Sequence, residues 1–167
     1  MKLLLVRHAS AVEAGTPGIA DEARPLTPEG IRRFEEAARG LARVCPAPDV
    51  LLTSPLLRAR QTAEIAAAAW GGPPVRLEPS LASGDFDAFA QALAGLGDAE
   101  LVAAFGHEPT LSGWLARLLG SRAGERFAFK KGGAALLELR KRHPEGTLLF
   151  AAPPRVLRAL GGAEEEE

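Results

Sequence analysis

The sequence predicts an α/β fold, namely a three-layer α/β/α sandwich with a mostly parallel sheet of about six strands. Strand patterns and helix patterns alternate along the 167 residues, which is typical of layered α/β domains. The run from Leu101 to Phe105 is apolar without alternation, as expected of a strand buried on both faces. The chain length indicates one domain, which we assign to residues 1–160, and the acidic residues 161–167 are predicted to form a solvated tail.

The first half of the chain begins with an apolar strand over Lys2 to Val6 and continues with two helices that start alike. The pair Thr27-Pro28 predicts the first helix start, because threonine caps free backbone amides and proline suits the first helical position. Apolar residues then recur at helical spacing. A second strand at Val50 to Leu52 leads to the pair Ser54-Pro55, which predicts another capped helix start.

The second half of the chain again alternates strands and helices. A short strand at Val75 to Leu77 precedes a helix near residues 86–93, and Thr110 is placed to cap the next helix. The last two strands, at Ala134 to Leu139 and Thr147 to Ala151, are separated by only a few turn residues. So short a connection predicts an antiparallel pair.

The composition excludes several classes of function. A formal net charge of -1 argues against binding to nucleic acid or to an acidic membrane surface. The single cysteine, Cys45, cannot form an intrachain disulfide and favours a reducing, cytoplasmic setting. The apolar run at residues 3–6 is far shorter than the roughly 7–15 residues of a signal peptide, and no membrane span is predicted. One cysteine and three scattered histidines do not make a zinc site, so neither a metal nor a cofactor is expected.

Three short motifs each follow a predicted strand. They are Arg7-His8, the segment from Ser54 to Thr62, and the segment from Gly106 to Pro109. In an open α/β sheet, ligands bind in the crevice beyond the carboxyl ends of the strands. We therefore expect two arginines and two histidines from these motifs to meet at one site: Arg7, His8, Arg58 and His107.

This set of side chains suits a phosphate group and a histidine nucleophile. Arginine offers a planar fork of donors to phosphate oxygens, and Arg58 also lies in the first turn of a predicted helix, where free amides favour an anion. A lone histidine at a strand end is usually satisfied by the backbone, but His8 with these neighbours can attack phosphorus if its other ring nitrogen keeps a proton. His107 can donate to the oxygens. The third histidine, His143, is assigned no role.

The motifs resemble those of the histidine phosphatase superfamily, which also contains the cofactor-dependent phosphoglycerate mutases. The matching segments are Arg7-His8, Leu26 to Gly30, Ser54 to Thr62 and Gly106-His107. The resemblance implies that the histidine of the first segment is the phosphorylated nucleophile. It also implies that the phosphate pocket is completed by three further residues: Arg7, Arg58 and His107.

Within that family, the short chain and the segment Arg24 to Thr27 are similar to the SixA-type branch. Members of that branch remove phosphate from phosphohistidine on bacterial signalling domains. Many family members have glycine after the Arg-His pair, where this chain has Ala9. The family's acidic proton donor has no evident match here; four carboxylates are candidates, with Asp85 favoured: Glu13, Asp21, Glu78 and Asp85.

The leading hypothesis is a metal-independent phosphatase that acts on protein phosphohistidine through a phosphohistidine intermediate. A phosphorylated imidazole has a better leaving group than a phosphomonoester, because imidazole leaves in place of an alkoxide, so its cleavage depends less on a proton donor. The alternative is a phosphatase for small-molecule phosphomonoesters, which predicts an essential carboxylate. A mutase is less favoured in so short a chain. A regulatory module that binds phosphate without turnover is the remaining alternative.

Overall fold

A six-stranded sheet forms the middle layer of the fold. The computed structural model describes residues 1–72, 74–121, 126–140 and 145–162. The strands, in chain order, are β1 (Lys2–Arg7), β2 (Val50–Thr53), β3 (Val75–Leu77), β4 (Leu101–Gly106), β5 (Ala134–Leu139) and β6 (Gly146–Ala152). Across the sheet they lie in the order β3-β2-β4-β1-β5-β6.

The four strands on one side of the sheet are parallel, and the last two are antiparallel. Strand β4 pairs in parallel with both β1 and β2, and β2 pairs in parallel with β3. Strand β5 runs antiparallel to β1, and β6 runs antiparallel to β5. The expectations of a mostly parallel sheet and a final antiparallel pair are therefore confirmed. The register aligns Arg7 with Gly106 and Thr53 with Phe105, so that β1, β2 and β4 end at one edge.

Helices cover both faces of the sheet. They are α1 (Pro28–Val44), α2 (Leu57–Trp70), α3 (Ser80–Ser83), α4 (Phe86–Ala94), α5 (Thr110–Leu118) and α6 (Pro154–Gly162), with a 3-10 turn at Asp21–Ala23. Leu4 and Val6 of β1 pack into a core with α1, α2 and α6, whereas Leu3 and Leu5 pack into a second core with α3, α4 and α5. Because both faces of the central strands are buried, their sequences are apolar without alternation.

Two of the three predicted helix caps differ from the structure. Thr27 caps α1 as expected, with its Oγ1 accepting from the Gly30 amide at 3.0 Å. Helix α2 starts only at Leu57, because Ser54 still belongs to the sheet edge, where its amide donates to the Phe105 carbonyl. Thr110 is the first residue of α5 and not its cap.

Helix α6 was not predicted from the sequence. It packs against α1 where two glycines allow the backbones to meet: a Cβ on Gly161 would lie 1.8 Å from the Glu36 carbonyl oxygen. The predicted tail therefore starts within this helix, since Gly161 is buried and Gly162 ends α6. Residues 163–167 and His143 lie outside the described residues. Among the described residues, none of the helices has the length and apolar character needed to span a membrane.

Candidate active site

The carboxyl ends of β1, β2 and β4 bring the four predicted site residues together. Arg7 is the last residue of β1, and His8 follows it with its amide donating to the Gly106 carbonyl at 3.0 Å. His107 follows β4, and its ring centroid lies 5.1 Å from that of His8. Arg58 is the second residue of α2, the helix that follows β2, and is buried beside both histidines. The structure therefore brings these four residues together, as the sequence predicts.

The imidazole of His8 is oriented by the next residue in the chain. Its Nδ1 lies 2.7 Å from the Ala9 carbonyl oxygen, and a carbonyl can only accept, so Nδ1 carries the proton. The Nε2 lone pair is then free to act as a nucleophile. The Ala9 amide donates to Thr62 Oγ1 at 3.0 Å, and that hydroxyl donates to the Arg58 carbonyl at 2.6 Å. The turn that holds His8 is thus tied to the helix that carries Arg58.

Both histidines are neutral over the physiological pH range. Burial lowers the pKa of His8 to about 3; the hydrogen bond to Ala9 opposes this, and the nearby positive groups lower it further. Burial and the charge of Arg58 likewise lower the pKa of His107 to about 4. A neutral imidazole is the form that has a lone pair to attack phosphorus.

The two arginines are held by backbone carbonyls, and each has a buried Nε–H without a partner. Arg7 donates through Nη1 to the Phe129 carbonyl at 2.6 Å. Arg58 donates through Nη1 to the Asp21 carbonyl at 2.7 Å and through Nη2 to the Asp21 carboxylate at 3.3 Å. In both side chains the Nε–H remains without a partner. Because the guanidinium is planar, fixing one end directs the other.

Ser54 binds the imidazole of His107, a contact that the sequence did not suggest. Ser54 Oγ accepts from the Leu56 amide at 3.3 Å and lies 2.8 Å from His107 Nε2. A serine hydroxyl can donate to Nε2 while it accepts from the Leu56 amide, and in that arrangement the ring proton of His107 lies on Nδ1. Ser54 was predicted as a helix cap, and only the tertiary pairing of β2 with β4 shows its second partner.

Three buried nitrogens in this site have no hydrogen-bond partner. Within the described ranges, they are the only buried side-chain nitrogen or oxygen atoms in this condition: Arg7 Nε, Arg58 Nε and His107 Nδ1. Leaving a buried donor unpaired costs about 1–3 kcal/mol, so such atoms are rare in folded proteins. All three belong to predicted site residues, and an anion with several oxygens would offer acceptors to donors of this kind.

The four candidate proton donors occupy different surroundings. Asp85 is exposed and caps α4, accepting from the amides of Asp87 and Ala88. Glu78 accepts from both the amide and the hydroxyl of Ser80. Their carboxylates thus act as acceptors within their own turns.

Of the other two candidates, Glu13 is exposed in the loop after β1, whereas Asp21 lies beside the pocket. The pKa of Asp21 lies below its ordinary value. Desolvation raises this pKa, but the hydrogen bond from Arg24 and the charge of Arg58 lower it by more. A depressed pKa is unsuited to a general acid, which must hold its proton at the working pH. Asp21 instead acts as a counter-ion, with 2.8 Å between its Oδ1 and Arg24 Nε.

Comparisons with known proteins agree with this geometry. The family model of the histidine phosphatase superfamily (branch 1) matches residues 3–162. An uncharacterized protein of Picosynechococcus sp. is 37% identical over 137 residues, covering 80% of this chain and 82% of that protein.

Solved structures of phosphohistidine phosphatases share the fold over nearly their whole length. The protein histidine phosphatase SixA, complexed with tungstate, is 26% identical with a TM-score of 0.78, covering 94% of this chain and 99% of that one. A candidate phosphohistidine phosphatase SixA of Nakamurella multipartitia is 32% identical with a TM-score of 0.73, covering 92% and 95%.

Proposed function

The chain belongs to the histidine phosphatase superfamily and is a phosphatase; on this premise we propose that it removes phosphate from protein phosphohistidine without a metal ion. The observation that carries the proposal is a set of three unpaired buried nitrogens on the residues that surround His8: Arg7 Nε, Arg58 Nε and His107 Nδ1. A phosphoryl group offers acceptor oxygens to these nitrogens and an electrophilic phosphorus to the lone pair.

In the first step, His8 Nε2 forms a bond to phosphorus while the bond from phosphorus to the leaving imidazole nitrogen breaks. That nitrogen takes the electron pair, and solvent protonates it. The hydrogen bond from His8 Nδ1 to the Ala9 carbonyl stabilises the positive charge that develops on the ring. Arg7, Arg58 and His107 donate to the phosphoryl oxygens as their charge changes.

In the second step, a water oxygen bonds to phosphorus and the bond from phosphorus to His8 Nε2 breaks. The water gives up a proton to solvent, inorganic phosphate leaves, and His8 regains its lone pair. The arginines supply the positive charge that a metal ion supplies in other phosphatases. Among the described residues, no three His, Cys, Asp or Glu side chains are grouped so as to hold a metal ion.

The surroundings of the carboxylates support phosphohistidine over a phosphomonoester as substrate. An ester releases an alkoxide, which needs a proton from a general acid, whereas imidazole leaves more readily. Asp85 and Glu78 serve as acceptors in their own turns, and Asp21 has a lowered pKa. The tungstate-bound relative is a protein histidine phosphatase, and tungstate is an oxyanion of phosphate-like shape.

The test is the ratio of kcat/KM on a phosphohistidine-bearing protein domain to kcat/KM on an aryl phosphate, with His8→Ala as the blank. We expect a strong preference for phosphohistidine. A preference for the ester would favour a small-molecule phosphatase and direct attention to Asp85 and Glu78. Phosphate binding without any His8-dependent turnover on either substrate would leave a phosphate-binding regulator as the better account.

A further inference from the structure

Glu108, the residue after His107, has both carboxylate oxygens engaged. Its Oε1 accepts from the Phe129 amide at 2.8 Å, and its Oε2 accepts from the buried Ser112 hydroxyl. The residue is half-buried and lies at the amino end of α5. Neither the sequence motifs nor the mechanism above assigns it a role.

Phe129 links this carboxylate to the site. Its amide binds Glu108, and its carbonyl accepts from Arg7 Nη1 at 2.6 Å. One residue thus connects a half-buried carboxylate with the guanidinium whose buried Nε–H has no partner. Arg7 and Glu108 also line the same cavity of about 460 Å³.

The position of Phe129 depends on these tertiary bonds. Residues 127–130 belong to no helix or strand, so no ladder of backbone hydrogen bonds fixes the carbonyl that meets Arg7. The buried Phe129 ring anchors the side chain, but a ring leaves the peptide plane free to tilt. The bond from the Phe129 amide to Glu108 supplies the missing constraint on the backbone.

We propose that Glu108 is a positioning residue that orients Arg7 through Phe129, so that Arg7 Nε points at a phosphate oxygen. This inference rests on the proposed function, because it requires Arg7 to bind an oxyanion. The guanidinium is rigid and planar, so a tilt of the Phe129 carbonyl turns Nη1 and Nε together. Glu108 itself does not touch the phosphate in this account.

If Glu108 only stabilised the fold, its replacement would not act on tungstate binding through Arg7. Another carboxylate of this chain serves as a matched control for such a structural role. Asp49 also uses a carboxylate to bind backbone amides, those of Glu100 and Leu101 at 2.8 and 2.9 Å. It does so at the opposite edge of the sheet, where β4 begins. Asp49→Ala therefore removes a comparable set of bonds without reaching Arg7.

The experiment is calorimetric titration of the full chain with tungstate as the oxyanion probe. We expect Glu108→Ala to weaken tungstate binding by about tenfold, the size of one lost charge-assisted hydrogen bond. Glu108→Gln should stay within about threefold of the wild type, because the amide oxygen can still accept from Phe129 and the amide nitrogen can donate to Ser112. Asp49→Ala should leave the affinity unchanged.

A double-mutant cycle separates positioning from general destabilisation. In an Arg7→Ala background, Glu108→Ala should change tungstate affinity by less than about twofold, because the group that it positions is gone. An equal loss in both backgrounds would overturn the inference. If Glu108→Ala does not fold, Ser112→Ala tests the same chain of contacts by loosening the carboxylate, with a smaller loss that again vanishes without Arg7.

The two proposals fail in distinguishable ways. A wild-type chain that binds tungstate and turns over phosphohistidine, with unchanged affinity in Glu108→Ala, overturns the role of Glu108 and leaves the proposed function intact. A wild-type chain that neither binds tungstate nor shows turnover overturns both.

Discussion

The two edges of the parallel sheet differ in whether their polar groups have hydrogen-bond partners. At the edge where β2 and β4 begin, the Asp49 carboxylate accepts from two backbone amides, and the Asp49 amide donates to the Leu101 carbonyl. At the edge where the same strands end, three buried side-chain nitrogens lack partners. These polar groups have partners at the edge where the strands begin, and three donors lack them at the edge where we propose that an anion binds.

This contrast has an energetic reason. Each unpaired buried donor costs about 1–3 kcal/mol of folding stability, and the cost is tolerated where a ligand recovers it. Two of the site residues are held by further contacts, Arg7 by the Phe129 carbonyl and His107 by the Ser54 hydroxyl, and these contacts restrict how the side chains can turn. Substitutions at the edge where the strands begin should therefore lower stability, whereas substitutions at the edge where they end should lower turnover.

The largest expected effect is the loss of turnover in His8→Ala. Removing the nucleophile should lower kcat by about four orders of magnitude or more, because the covalent route disappears. The circular dichroism spectrum and the tungstate affinity should be largely retained, since the three open donors remain. Substantial residual kcat on phosphohistidine would show that another group attacks phosphorus.

The second effect compares the two edges directly. Arg58→Ala should cost about 2.7–4 kcal/mol of transition-state stabilisation, by analogy with deleting one oxyanion donor. Asp49→Ala should instead lower the free energy of unfolding and leave kcat within about twofold. Steady-state kinetics and urea unfolding of both variants measure this. A similar loss of kcat in both variants would mean that the edges do not differ as described.

Ser54→Ala is expected to have a smaller effect on the same site. Without the hydroxyl, the His107 ring proton is no longer confined to Nδ1, and kcat/KM should fall by about tenfold. Nitrogen NMR of the imidazole should show a mixture of tautomers where the wild type shows the Nδ1–H form. Unchanged tautomer and rate would remove Ser54 from the account.

The smallest effect is a pH dependence of stability that comes from the site edge. The pKa of His8 is lowered to about 3 and that of His107 to about 4 from an ordinary 6.5, so the unfolded chain binds protons first as pH falls. Stability should therefore decline as pH drops below about 6.5, by roughly 1 kcal/mol or less per histidine between pH 7 and 6.

Urea unfolding at the two pH values should show a flatter dependence in His8→Ala than in the wild type. An unchanged slope would mean that the His8 pKa is the same in the folded and unfolded states. His143, the remaining histidine, is present in both proteins and cancels in the comparison.

Much of the site could be predicted because its residues follow strands in short motifs. The positions of Arg7, His8 and His107 depend only on where β1 and β4 end, and the apolar runs show those ends. The contacts that orient these side chains could not be predicted, because they join distant segments. Arg7 meets Phe129 across 122 residues, a separation at which local sequence carries no signal.

The sequence is also ambiguous where one residue type suits two roles, such as a helix cap and a site residue. Ser54 before a proline is a common helix cap, but here the helix starts later and the hydroxyl serves His107. The loop position of Asp85 suits a proton donor, yet the same position makes it the N-cap of α4. Helix α6 is not evident from the sequence, because its packing depends on glycines of two different helices, Gly40 and Gly161.

The central claim is that His8 carries the phosphoryl group between substrate and water. Rapid mixing of the enzyme with a radiolabelled phosphohistidine domain, followed by an alkaline quench, tests it directly, because phosphohistidine survives alkali and is lost in acid. We predict label on the enzyme in a peptide that contains His8, formed and consumed within one turnover and absent in His8→Ala. Full hydrolysis by the wild type with no labelled enzyme at any time point would contradict the account.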